Sequence, residues 1–565
     1  MKKTLRIIYI ITATLIFNSC ADLDLTPKTG ISTENFFRNL PELELGLNAL
    51  YEKKLWKIDQ DWWTDDMFHR GGGFVTNPIS TANINSESEL TGTYWTDLYD
   101  GVKRANTVLK AAEDLRGIEI ESDLNRIEGE ARAIRAYFYG VLVTKFGDVP
   151  LLTTNIPLTE AYSVTRTPVN EVKNFIYTEL DAAAALLPIN NENRANRGFA
   201  LGIKARIALY LNDFQIAKTA SKAVIDLGIY GLESNFRTLF LKEGASSKEN
   251  IFFVPQSVEF NVNFDNSLTR DFIPRNAGGF GAALPTFEAA HIFECIDGNT
   301  IDNSPLYNPR KPFENRDPRM KETIVEFGIP WLGFVYQPHP DSVTTVNTVN
   351  SSRVTNNDSR GVAIFASFTG MLWKKGIEQR WADNPRLADQ NLIILRYADI
   401  LLMHAESLIE LNEDLTIAQN LINQVRARAY GVAVDQTNLY PAVTQTDQNG
   451  LRIRLRRERR VELMREGLRY QDIIRWRIGN KTIARVVLGM PQPTAQDRNQ
   501  WPFNDQILPV IDQDGVVLFD SQQLISRNFA SLLQTYSFDD QRMYLWPIPA
   551  SDRFLNSNLT QNPGY

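Results

Sequence analysis

Apolar residues recur at alternating steps of three and four over much of the first half of the chain. Trp95, Leu98, Val102, Ala105, Leu109 and Ala112 fall on one face of a helix, as do Ile127, Ala131, Ile134, Phe138 and Val141. The second run stops at Phe146-Gly147-Asp148-Val149-Pro150. Val172, Ile176, Leu180, Ala183 and Leu187 form another face, ended by Pro188. Ile203, Ile207 and Tyr210 follow, then Phe214, Ala217, Ala220 and Val224, stopped at Gly228. An earlier helix opens at Asn39-Leu40-Pro41-Glu42, a capping residue with a glutamate three places later, and continues through Leu43, Leu47 and Leu50. A later pair is written by Ala398, Leu402, Ala405 and Ile409, then Leu415, Ala418, Leu421, Val425 and Ala429. Small alanines at packing positions let neighbouring helices approach closely. The pattern predicts a mainly α protein, a scaffold of tetratricopeptide-like helix pairs without the strict 34-residue register.

From about 231 to 390 the period is lost. Asn276-Ala277-Gly278-Gly279-Phe280-Gly281, Asp297-Gly298-Asn299 and Gly328-Ile329-Pro330-Trp331 read as loops and short strands, and 341–359 as an exposed loop. A long irregular insert in a helical frame is usually functional. Ile507-Leu508-Pro509-Val510-Ile511 and Val516-Val517-Leu518-Phe519 flank Asp512-Gln513-Asp514-Gly515 as a short hairpin. At the other end, Lys2, Lys3 and Arg6 precede an apolar run from Ile7 to Phe17, too short to span a bilayer, which needs about 20 residues. This is a signal peptide. Phe17-Asn18-Ser19-Cys20 then follows the pattern of a bacterial lipoprotein signal, in which the cysteine is acylated and becomes the new N-terminus. Residues 1–19 are accordingly expected to be removed, and 20–30 to form a lipidated tether, the acyl chains of Cys20 supplying the membrane affinity.

Composition narrows the chemistry. The 565 residues are 43% apolar and carry a net charge of −7; residues 1–19 hold three bases and no acid, so their removal takes it to −10. An acidic, exported chain is a poor bulk binder of nucleic acid. Two cysteines make no disulfide framework, and four scattered histidines give no metal-binding pattern, so neither cofactor nor metal is expected. Protease, hydrolase, phosphate-loop and Cys-x-x-Cys signatures are absent. Gly71-Gly72-Gly73 lacks a following helix start and reads as a loop, not a phosphate cradle; Cys295 and His404 read as structural. Eight arginines between Arg452 and Arg469 could suggest nucleic acid, but Glu458, Glu462 and Glu466 recur every four residues among them, so the expectation is ion pairing along the helix.

A set of motifs then runs the length of the chain. Asp24-Leu25-Thr26-Pro27 and Asn35-Phe36-Phe37 open it. Trp95-x-x-Leu98-Tyr99 with Ala105-Asn106, Glu130-Ala131-Arg132-Ala133 and Phe146-Gly147-Asp148-Val149-Pro150 follow. Arg396-Tyr397-Ala398-Asp399, Asn423-x-x-Arg426-x-Arg428-Ala429, Glu458-Arg459-x-x-x-Glu462-Leu463 and Asp472-x-x-Arg475-Trp476 continue it. Tyr544-Leu545-Trp546-Pro547-Ile548-Pro549 and Gln561-Asn562-Pro563-Gly564-Tyr565 close it. In this order they resemble the SusD/RagB family of surface nutrient-uptake lipoproteins. The resemblance implies one compact body, with an N-terminal helical region at 31–230 and a C-terminal region at 231–565 that holds the ligand-loop insert. It implies an outer-membrane lipoprotein facing the cell exterior. Such a protein captures oligosaccharides without chemistry and caps a SusC-type TonB-dependent transporter. The alternative is peptide capture, as in the RagB branch.

Sugars stack their CH faces on flat rings, with polar groups at the rim. The rings of the irregular segments, Phe74, Phe280, Trp331, Tyr336 and Trp381, are therefore the candidate platforms, with Asp65, Arg70 and Asn77 as hydroxyl partners. Trp331, set among Gly328, Pro330 and Gly333, is the foremost choice; Trp95, Trp476 and Trp546 belong to the frame.

Overall fold

The computed structural model describes residues 36–71, 77–366, 368–492 and 501–565. The protein is mainly helical. Helix α1 (Leu40–Asn48) starts where the capping signal places it, with the Asn39 side-chain oxygen accepting from the Glu42 N–H at 3.0 Å. Helices α2 (Glu89–Asp114), α3 (Glu121–Phe146), α4 (Val169–Leu186), α5 (Arg197–Tyr210) and α6 (Phe214–Asp226) carry the predicted apolar faces. Each packs on the next in the series α2–α3–α4–α5–α6 or on its near neighbour. Two glycines set the closeness of approach: a Cβ on Gly101 would lie 2.5 Å from the Phe138 ring, and one on Gly140 would lie 2.3 Å from Ile207. Gly147 ends α3 at φ +70°, a conformation that glycine adopts without penalty.

The chain returns to this frame after the irregular insert. Helix α7 (Tyr397–Leu411) packs on α6 and on α8 (Leu415–Ala429), and α9 (Gln448–Leu463) packs on both α7 and α8; α10 (Arg469–Arg475) follows. One apolar core runs from Leu43 and Leu47 through Phe138 and Phe199 to Trp546, Ile548 and Leu559, so the last residues of the chain pack with the first helices. Trp95 and Trp546 are buried in it, and Trp476 is partly buried against it. His404 is buried with its Nδ1 3.0 Å from the Ser221 hydroxyl, and Cys295 is fully buried.

A second core lies under the insert, built on Leu284, Phe287, Phe293, Trp331 and Trp373. The strands here are short antiparallel pairs. Met67–His69 pairs with Ala283–Pro285, and Asn250–Val254 with Leu392–Arg396. The segment read as an exposed loop at 341–359 is in part a hairpin, Thr344–Val346 on Arg353–Thr355. Its serines, threonines and asparagines signal turn chemistry, and the threonines and valines among them suit a strand equally well. The hairpin at 510–518 forms as expected, its turn closed by Asp512 accepting from the N–H groups of Asp514 and Val516.

The arginine run is paired, but not along its own helix. Arg319 reaches Glu458 at 2.6 Å and Glu462 at 2.8 Å, and Arg396 reaches Glu249 and Glu462, each at 2.7 Å. Arg459 joins Asp399 and Asp472, and Arg452, outside the deepest layer, joins Glu410. The reason is geometric. Helix α9 is wedged between α7, α8 and the insert, so its charged faces meet those elements before they meet one another. It also ends at Leu463, before Glu466, and the chain then turns through Arg465 (φ 63°) and Gly467 (φ 71°).

Candidate functional site

The strand pair Met67–His69 with Ala283–Pro285 delivers Arg70 to the surface of the insert, where its N–H donates to the Ala282 carbonyl at 2.7 Å. The Arg70 guanidinium then ties three loops together. Its Nη2 donates to the Phe280 carbonyl at 2.8 Å. Its Cζ lies 5.5 Å from the Phe365 ring and 5.8 Å from Phe368. Arg360 stacks on the same Phe368 at 4.4 Å, and Arg270 stacks on Phe280 at 4.3 Å while donating to the Gly278 carbonyl. Phe280 is 37% exposed and Phe365 is 52% exposed. Folding leaves two large rings partly exposed here, Phe365 beside the Arg70 guanidinium and Phe280 beside that of Arg270, where an isolated loop phenylalanine needs no explanation but an organised set does.

The electrostatics follow from that crowding. Partial burial and the neighbouring Arg275 charge push the Arg70 guanidinium below its usual pKa, with Asp271 acting the other way. Burial lowers Arg360 as well. Asp271 lies 3.1 Å from His69 Nε2, and Trp62 packs 5.2 Å from the His69 ring. Such a surface can stack the apolar face of a flat ligand and donate hydrogen bonds at its edge. Among the described residues no group of three or more His, Cys, Asp or Glu side chains could hold a metal ion.

Behind Trp62 lies a cavity of about 220 Å³ lined by Phe264, Phe272, Trp381, Lys375 and Arg465. That is below the range of about 300–1,000 Å³ usual for small-molecule pockets. Its cations serve the frame: Lys375 Nζ donates to the carbonyls of Glu462 and Met464 at the end of α9 and to Glu466 at 2.6 Å, as suits a cation at a helix C-terminus. A wider groove of about 780 Å³ passes Asn191, Arg194 and Tyr230. There Asn191 and Arg194 are already bonded to Glu130, and Tyr230 to Asn196. Of the three, the loop surface at Arg70 is the one that leaves large rings exposed.

The structure sorts the sequence candidates sharply. Arg70 and Phe280 come together in this surface. Cys20 and Phe74 lie outside the described residues. Asp65 is corrected: it is 1% exposed and clamped by Arg469 at 2.9 Å and Arg460 at 3.0 Å. Burial alone would raise its pKa, but those two guanidinium groups outweigh it and hold the carboxyl far below the usual range. Asn77 is corrected too. Its amide donates to Trp62 and Ser80, and its oxygen accepts from the N–H groups of Ile79 and Ser80, an Asx turn that leaves nothing for a ligand. Trp331 sits on the expected tight turn, Leu332 (φ 46°) and Gly333 (φ 86°), yet its ring is only 8% exposed and packs in the second core with Arg237 5.4 Å above it. Tyr336 is buried with its hydroxyl on the Gly370 carbonyl, and Trp381 is buried with its indole N–H on Gln390.

Sequence reasoning missed Arg270, Arg360, Phe365 and Phe368. The available signal was Val362-Ala363-Ile364-Phe365 between Gly361 and Gly370: an apolar run with neither helical nor strand period, which no core face claims.

Comparisons with known proteins agree over nearly the whole chain. A family model described as "SusD family" matches residues 248–565, and one described as "Starch-binding associating with outer membrane" matches 23–209. The chain is 24% identical to the SusD-like protein P38 of Formosa agariphila, over 89% of this chain and 96% of that one. Among solved structures, a SusD-like carbohydrate binding protein from Bacteroides fragilis is 26% identical with a TM-score of 0.76, covering 93% of this chain and all of the other. A laminarin binding SusD-like protein is 22% identical with a TM-score of 0.61, again over 93% and 100%.

Proposed function

The chain belongs to the SusD family, and from that premise we propose that it is a glycan-capturing lipoprotein of the outer membrane. Cys20 carries the lipid anchor. The body faces the cell exterior, takes an oligosaccharide on the Arg70 surface, and hands it to a SusC-type TonB-dependent transporter that it caps. It binds without transforming its ligand. No described helix is long and apolar enough to cross a membrane, which accords with anchoring through acyl chains.

The observation that carries this reading is the pair of exposed rings, Phe280 and Phe365, on two loops that Arg70 joins through the Phe280 carbonyl and the Phe365 ring. A polysaccharide chain offers alternating apolar faces and hydroxyl edges, and this surface offers the complements of both. The similar structures described as carbohydrate binding and laminarin binding favour saccharide over peptide. The test is calorimetry of the purified, detergent-held protein against panels of oligosaccharides and of peptides. Wild type should bind at least one saccharide. Phe365→Ala should weaken it roughly tenfold to a hundredfold, taking stacking at about 1–3 kcal/mol per ring, with an unchanged melting temperature. Binding of peptides and of no saccharide would replace this reading with peptide capture. Cys20→Ser should leave the protein unprocessed or release it from the membrane fraction.

A further inference from the structure

Four arginines meet at the site: Arg70, Arg270, Arg275 and Arg360. Deeper in the protein Arg319 is matched by Asp317, Glu458 and Glu462, while the buried Arg316 rests on three backbone carbonyls. Here, among the described residues, none of the four is in an ion pair with a carboxylate. Three of them hold a buried guanidinium N–H that donates to nothing: Nε of Arg70, Nε of Arg275 and Nη1 of Arg360. Other buried guanidinium N–H groups of the protein share that state, Nε of Arg428 and Nη1 of Arg469 among them, so the distinguishing feature here is four arginines gathered without a carboxylate partner.

The acids nearby do not supply the missing acceptors. Asp271 is joined to His69. Asp358 is buried and accepts from the backbone N–H groups of Arg275 and Asn276 at 2.8 and 3.1 Å. Among the described residues, the Arg360 guanidinium donates to Gln492 alone, at a long 3.4 Å. Arg275 is close enough that its charge lowers the Arg70 pKa. Like charges have thus been gathered on one small surface of an acidic protein and held there by rings and carbonyls. A neutral sugar would leave that repulsion in place. A sugar bearing an acid would relieve it, in the planar two-point geometry that guanidinium groups make with oxyanions.

We infer that the Arg70 surface selects anionic oligosaccharides, with Arg70, Arg275 and Arg360 holding a carboxylate or sulfate ester while Phe280 and Phe365 stack the sugar rings. This rests on the glycan-capture reading and names the ligand class within it. The two acid groups share one chemistry at the site, and the experiment separates them.

The test is calorimetry of the detergent-held protein with three probes of equal length: a neutral β-glucan tetrasaccharide, tetragalacturonate, and a sulfated galactan tetrasaccharide. At least one charged probe should bind ten times more tightly than the neutral one or better. Its affinity should fall steeply as sodium chloride is raised, while any neutral binding stays flat. Which charged probe wins identifies the acid group. Arg360→Gln should cost the charged probe about tenfold to a hundredfold and cost any neutral binding distinctly less. Should a variant fold poorly, the salt dependence of wild type tests the same charge contact. Neutral binding as tight as charged binding, or a preference for charge that survives both Arg360→Gln and Arg70→Gln, overturns the inference and leaves glycan capture intact. Failure of all three probes together with binding of peptides overturns both.

Discussion

Arg459 lies deep between α7, α9 and α10 and donates to Asp399 at 3.0 Å and Asp472 at 3.2 Å; Arg360, on the loop surface, reaches one amide oxygen at 3.4 Å. The first belongs to a region in which arginines and carboxylates alternate through the interior: Arg319, Arg396, Arg426, Arg428 and Arg460 each touch two acids or more. The second belongs to a region where arginines outnumber acids and lean on phenylalanines. The residue type is the same and the surroundings differ in two respects, burial and whether the chain supplies the anion. In the interior it does, so the charges lock helices in register. Among the described residues of the loops it does not, and the proposed ligand would bring one. Buried pairs are a poor source of net stability compared with apolar packing, but removing one partner is costly, because it strands the other.

That asymmetry gives the largest expected effect. Glu462 is fully buried and accepts from Arg319, Arg396 and Arg428. Glu462→Gln keeps the shape and removes the charge under three guanidinium groups, and should cost about 5 kcal/mol, the upper end for breaking a buried pair, read as the shift of a urea transition. A loss below about 1 kcal/mol would mean that the interior tolerates unmatched arginines as the loops do, and the comparison would collapse. Acid tests the same region without mutation. Burial would raise Glu462, Asp399 and Asp317, but Arg428, Arg396 and Arg319 around the first, Arg206 and Arg459 around the second, and Arg319 and Arg426 around the third lower all three. Their contribution is complete above the unfolded carboxylate pKa of about 4 and is lost as pH falls through the lower folded values. Asp61 has the opposite sign: burial and the Asp66 charge raise it to about 7, so stability declines as pH rises from the unfolded value toward 7. Asp61→Asn should therefore lessen the loss of stability between mild acid and neutrality relative to wild type, while leaving the acid limb.

Trp331 sharpens the boundary between the two regions. By its local sequence it is the best candidate for a stacking ring, and it is core. Trp331→Ala should destabilise by about 3–5 kcal/mol, as for other large aromatic truncations, and at a temperature where the variant is folded it should bind saccharide like wild type. Weakened binding without destabilisation would return it to the site. The physical reason for the difference is specific. The helical frame is legible because a 3.6-residue period states both the element and its buried face, so α1 through α8 appear where their apolar positions fall. In the insert no period exists, and an aperiodic ring can line a surface or a satellite core with the same local sequence. Trp331 and Phe365 both sit near glycines in the insert; only the pairing of Pro330–Trp331 with Phe334–Val335, over Leu332 and Arg237, decides that the first is enclosed. Asp65 and Asn77 mislead for a related reason. Their partners, Arg469 and Trp62, are set by a return of the chain some 404 residues later and by a turn, and neither leaves a mark in the neighbouring residues. Arg70 and Phe280 are legible as polar and aromatic residues in irregular segments, but not that one would bond the carbonyl of the other.

The smallest effect separates pairing from burial within the paired region itself. Arg452 makes a two-point contact with Glu410, Nε at 2.7 Å and Nη2 at 2.8 Å, geometry as good as that of Arg459. It differs in being 26% exposed at the side chain, where Arg459 is 1% exposed. Water can therefore solvate Glu410 when the arginine is removed, and it cannot reach the partners of Arg459. Arg452→Ala should cost no more than about 1 kcal/mol, in the range of exposed pairs, and less at high salt. If instead it costs as much as Glu462→Gln, the geometry of the pair and not its burial governs the interior. The arginines of the loop surface, half-buried and unmatched, would then be expected to destabilise the protein on their own account, and Arg360→Gln would raise the melting temperature.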